Sequence, residues 1–137
     1  MESTINEMLR HAIDVIDGND KIKIEHNSRI KIKGIYESYI AQFGALENQL
    51  LMPSTFAVYC NKKANVGEGD RSQIIQMIFK VINLYHTNYF GVGIEYDAWI
   101  KKIMKNQDHF ADEHEQIILD ASVALKRAIR TFELLDK

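Results

Sequence analysis

The sequence predicts an all-α protein, a single compact bundle of about six helices. Three observations lead there. Breakers are scarce, with one proline and seven glycines in 137 residues, whereas an all-β chain of this size needs a turn every ~8–12 residues. Apolar residues recur three and four apart along most of the chain, the period of a buried helix face. Hydrophobic residues make up 46% and charged residues 26%, with a net charge of −2, a balance that supports a core and excludes disorder. The length fits one domain over residues 1–137.

The first helix is expected to start at Thr4, because Thr4 and Glu7 have capping-box spacing. Ile5, Met8, Leu9, Ala12, Ile13 and Ile16 supply its buried face, and Gly18 and Asn19 end it. The segment Lys21 to Lys33 reads two ways. Its isoleucines alternate with charged residues as in a hairpin, but a lone hairpin is marginally stable. The alternative is a helix capped by Asn27 or Ser28, whose apolar stripe runs through Ile32, Ile35, Tyr39, Phe43 and Leu46. The helix from Ser28 is the preferred reading.

Pro53 opens a third helix to Lys63, since proline is tolerated in a first turn. Asp70 is placed to cap the next. Its face of Ile74, Ile75, Met77, Ile78, Val81, Ile82 and Tyr85 is broad enough for a central position. Gly91 and Gly93 interrupt the pattern before a short helix with Ile94, Ala98, Trp99, Ile103 and Met104. The last helix starts near Asp108 and keeps its period through Phe132 and Leu135, about seven turns.

The common catalytic constellations are missing from the sequence. GVG and GEG lack the phosphate-loop pattern. A di-iron bundle needs Glu-x-x-His pairs, and no glutamate stands three residues before any of the five histidines. In DHFADEHE, His109 and His114 are five apart and diverge on a helix, so Asp108, Asp112, Glu113 and Glu115 read as an acidic helix start opposing the dipole. His11, His26 and His86 are isolated, and Cys60, the one cysteine, reads as a buried structural thiol. No enzyme activity, metal or cofactor is expected. A single cysteine allows no internal disulfide, no basic-then-apolar leader opens the chain, and no apolar run approaches the ~20 residues of a membrane span. A cytoplasmic protein without a membrane partner is expected.

The small net charge conceals segregation. Residues 21–33 hold five basic groups and one acid, whereas residues 1–20 hold five acids and one arginine. Further basic groups stand at Lys62 and Lys63, at Lys101, Lys102 and Lys105, and at Lys126, Arg127 and Arg130. Any one of these clusters alone reads as a solvated surface; several on one face make a track for phosphates.

The stretch YESYIAQFGALENQLLMPSTFAVYCNKK, Tyr36 to Lys63, carries a family likeness. Tyr36 and Ser38 stand near the start of a long helix, Asn48, Leu50 and Leu51 at a turn, and Thr55, Phe56, Ala57, Tyr59, Lys62 and Lys63 on the helix after it. In these residues, and in the closing ASVALKRAIRTFELLDK, the chain resembles the small all-helical subunit of type III-B CRISPR effector complexes, the Cmr or RAMP-module complexes. The resemblance implies a non-catalytic subunit that stacks with copies of itself beside the other subunits and contacts guide and target RNA without reading sequence. On that expectation Lys62, Lys63, Lys126, Arg127 and Arg130 line the RNA-facing surface. The alternative is a helical protein-interaction adaptor with no nucleic-acid role.

Overall fold

In the computed structural model, which describes residues 2–61, 69–132 and the backbone of 134–135, five helices share one hydrophobic core with a small β-hairpin at its side. Helix α1, Glu2–Asp17, buries Ile5, Met8, Ala12, Val15 and Ile16. It begins two residues ahead of the expected cap, so Thr4 lies inside the first turns. It ends where the glycine predicts, with the Gly18 amide donating to the Asp14 carbonyl at 3.0 Å. A 3₁₀ turn, Asp20–Ile22, comes next. Asn19 caps it by accepting from the Lys21 amide at 3.0 Å, and its buried side-chain amide donates to Gln73 at 3.1 Å. Residue 19 thereby joins the first loop to the middle of the bundle.

The preferred helix from Ser28 is not what forms. Strands β1, Lys23–His26, and β2, Arg29–Lys33, pair antiparallel with Ile24 opposite Lys31 and His26 opposite Arg29. Asn27 and Ser28 take the left-handed φ values of 53° and 65° that a two-residue hairpin turn demands. The hairpin is stable because it is not alone: the backbone of Leu134–Leu135, strand β3, adds to β2 in parallel, and Ile22 and Ile32 sink into the core. The same pairing shortens the last helix relative to expectation.

Helix α2, Gly34–Tyr59, is two helices in one span. At Leu51 the backbone turns to φ 64°, ψ 168°, and Pro53, which lacks a donor, starts the second half. Twenty residues of straight helix would separate Tyr39 from Tyr59 by ~30 Å. Instead the Tyr59 hydroxyl donates to the Tyr39 carbonyl at 2.5 Å, and Phe43 meets the Tyr59 ring edge-on at 5.4 Å. The chain reverses at Leu51, two residues ahead of Pro53, where a new helix was expected to open. With α2 counted as two, the described residues hold six helices.

Helix α3, Ser72–Tyr85, starts under Asp70, whose carboxylate accepts from the Ser72 amide at 2.9 Å and the Ser72 hydroxyl at 2.7 Å. It buries Gln73, Ile74, Ile75, Met77, Ile78, Val81 and Ile82 and lies centrally, packed on α1, α2 and α5. Helix α4, Tyr96–Lys105, contributes Trp99, fully buried, with Phe56, Phe79 and Phe90 rings at 5.2, 4.9 and 5.1 Å. Helix α5, Phe110–Ile129, is 20 residues long and presents Ile118, Ala121, Ala124, Leu125 and Ala128 to the core. Helix α1 packs against it. Among the described residues no helix is long and apolar enough to cross a membrane.

Two substitutions test the reversal and its packing. Leu51 is 65% exposed in a backbone region that side chains disfavour, so Leu51→Gly should raise stability by about 1 kcal/mol, read as a higher urea midpoint. At Gly69 an added Cβ would lie 2.9 Å from Ile35 and 3.0 Å from the Tyr36 ring. Gly69→Ala should therefore lose about 1–3 kcal/mol in the same assay.

Candidate nucleic-acid interface

Of the five residues expected to face RNA, Lys126, Arg127 and Arg130 fall within the final turn and C-cap of α5. Helix geometry puts Lys126 and Arg130 one above the other, four apart. The position itself favours cations, because the last carbonyls of a helix carry partial negative charge. Arg130 is exposed and Lys126 half-buried. Arg127 is engaged within the chain: its guanidinium grips both Glu2 oxygens at 3.0 and 2.9 Å, holding the Glu2 carboxyl below its usual range and the Arg127 guanidinium above its own. This fork clamps the first turn of α1 to the last turn of α5, whereas Lys126 and Arg130 have no ion-pair partner among the described residues. Lys62 and Lys63 lie outside the described residues.

The two charge blocks touch where the hairpin meets the end of α1. Lys23 Nζ bonds the Asp17 carbonyl and lies 3.9 Å from its carboxylate, tying the hairpin to the end of α1.

A second basic surface lies between α4 and α5. Lys101, Lys102 and Lys105 form one wall of a groove of about 270 Å³, completed by Gln107, Asp108, Phe110 and Glu113. Its shape depends on an unusual turn. Asn106, Asp108 and His109 all have left-handed φ, at 47°, 56° and 59°. Asn106 ends α4 with its backbone, and its side-chain oxygen accepts from the Ala111 amide at 2.7 Å, capping α5. Lys102 Nζ sits 5.5 Å from the centre of the Phe110 ring. The lysines were legible in the sequence as a charge run; their meeting with Phe110 across the turn was not, because no local pattern signals three left-handed residues in four.

The acidic-histidine cluster separates as its spacing implies. His109 bonds Asp112 at 3.2 Å on the surface. His114 turns inward among Phe110, Phe90 and Tyr89 at 4.6, 5.0 and 5.6 Å, where burial lowers its pKa against the opposing pull of Glu113. Glu115 departs from the expected role at the helix start. It hydrogen-bonds Glu47, a buried residue of α2, and burial followed by this carboxyl neighbour pushes the Glu47 pKa up to about 7. Sequence reading missed this pair, whose members are far apart in the chain and join only because α2 packs on α5. Cys60 is half-buried; burial pushes its thiol up to about 11 against the opposing influence of the neighbouring Tyr96 side chain. It is held as a protonated thiol at neutral pH.

The arrangement is that of a helical bundle with cationic surfaces at the end of α5 and along α4. Comparison with known families finds no matching family model, and comparison with curated proteins and with solved structures finds no match.

Two outcomes check this electrostatic picture. The folded state holds the Glu47 proton up to about pH 7 while the unfolded chain releases it near the ordinary 4.5. Stability should therefore fall as pH rises between those values and level off above them. Glu47→Gln should flatten that slope and raise the denaturation midpoint at pH 8. Asn106→Ala removes a cap and places a Cβ-bearing residue without local hydrogen bonding in a left-handed position, and it should cost about 1–2 kcal/mol by urea denaturation.

Proposed function

We propose that this chain is a non-catalytic, cytoplasmic structural subunit of an RNA-guided type III-B CRISPR complex. It stacks with copies of itself and with the other subunits and contacts the backbone of guide-bound target RNA without sequence preference. The observation that carries the reading is the resemblance of Tyr36–Lys63 and of the closing helix to the small subunit of those complexes. The reversal of α2 at Leu51 falls within that stretch. Lys126 and Arg130 at the end of α5 supply phosphate contacts, with Lys62 and Lys63 assigned the same role on the resemblance. RNA cleavage belongs to other subunits, and base pairing carries the sequence information, so this subunit needs shape and charge alone.

Exposed apolar side chains suit the stacking role. Leu50, Leu51 and Val58 lie on α2 at 40%, 65% and 38% exposure, close to the reversal. A face of this kind fits contact with a neighbouring subunit.

The experiment is a salt titration of RNA affinity. The wild-type chain should bind single-stranded RNA weakly, with an affinity that falls as salt rises. Charge reversal in Lys126→Glu with Arg130→Glu should weaken binding and flatten the slope. Adding Arg127→Glu should weaken it little further, because that guanidinium already serves Glu2. Unchanged affinity and slope in the reversed variants would remove the site assignment.

A further inference from the structure

The geometry points to the α4–α5 groove as a subsite for one unpaired nucleotide, with its phosphate on the wall of Lys101, Lys102 and Lys105 and its base over the Phe110 ring. This rests on the reading of the chain as RNA-binding and goes beyond it, since backbone contact alone gives no reason for a base to be held.

Four features support the assignment. Three exposed lysines line one wall, and none of them forms an ion pair with a described residue, even though Asp108 and Glu113 line the same groove. No carboxylate of a described residue holds these ammonium groups at ion-pair distance, and three cations face two carboxylates in the groove. The aromatic component comes from Phe110, part-exposed at the start of α5 and held from behind by His114 at 4.6 Å and Phe90 at 6.2 Å. A ring fixed in this way is a stacking platform that costs no ordering when a base arrives. The Lys102 ammonium, 5.5 Å from that ring, would swing to the phosphate as the base replaces it.

The opposite wall sets orientation and size. Gln107, Asp108 and Glu113 offer hydrogen-bond acceptors to ribose hydroxyls and base amino groups, and the two carboxylates repel a second phosphate. The volume of about 270 Å³ lies just below the ~300 Å³ at which small-molecule sites begin. A groove on that scale matches one nucleotide unit. Bases within an A-form helix stack on each other and cannot reach Phe110, so the groove takes an unpaired nucleotide.

The test titrates the full chain into an adenine-rich single-stranded RNA carrying 2-aminopurine, whose fluorescence falls on stacking, and in parallel into adenosine monophosphate. The wild type should quench the RNA probe, and the same strand annealed to its complement should give no quench. Lys101→Glu with Lys105→Glu, both at exposed positions, should weaken probe binding about tenfold. Phe110→Leu keeps an apolar side chain against His114 and Phe90, and should retain the fold by circular dichroism while losing most of the quench. A wild type that neither quenches the probe nor binds adenosine monophosphate, or a quench that survives Phe110→Leu, overturns the subsite. RNA binding that responds to Lys126→Glu with Arg130→Glu but not to the α4 pair overturns the groove alone. Adenosine monophosphate bound through Lys101 and Lys105 with no RNA bound supports the groove as a mononucleotide site and overturns the RNA-subunit reading instead.

Discussion

The reversal of α2 at Leu51 is the constraint on which the bundle depends. It brings Phe56 and Tyr59 back against Phe43 and Tyr39, and from there the aromatic contacts continue through Trp99 to Phe79 and Phe90. An unreversed helix would carry the second half of α2 away from the core and leave Trp99 without its Phe56 wall. The strained backbone at Leu51 is held by the first turn of the helix beyond it: the Thr55 hydroxyl donates to the Leu51 carbonyl at 2.8 Å, and the neighbouring Met52 is buried. Buried aromatic area outweighs a local backbone cost of ~1–3 kcal/mol at one residue.

Long helices with a clear face were legible in the sequence because their burial follows a local period. The α3 face from Ile74 to Ile82, the Asp70 cap and the Gly18 stop all form as read. The failures share a cause, which is dependence on partners distant in the chain. Residues 23–33 became a hairpin because Leu134–Leu135 pairs beside Ile32 and Lys33. The apolar positions Phe132 and Leu135 continued the helical period of α5, yet α5 ends at Ile129, where the chain leaves to make that pairing.

The cationic surfaces were legible to a similar extent. Basic residues can be counted from sequence, but which of them are committed elsewhere cannot. Arg127 looked equivalent to Lys126 and Arg130 until its fork with Glu2, 125 positions away, set it apart. Glu115 looked like a dipole-facing acid until Glu47 was found against it. In both cases a non-local carboxylate changes what a side chain can do. The small net charge has the same character: it sums over surfaces that act separately, so it gave no measure of the cationic groove along α4 or of the α5 end.

The central proposal is that this chain touches RNA as a structural member of a larger ribonucleoprotein, with α5 and the α4–α5 groove as its contact surfaces. Ultraviolet cross-linking of the assembly purified from cells, with mass spectrometry of the RNA-linked peptides, tests it most directly. The predicted result is a set of RNA-linked peptides of this chain that contain Lys126 to Arg130 or Lys101 to Phe110. An assembly that yields RNA-linked peptides from its other members and none from this chain would contradict the claim.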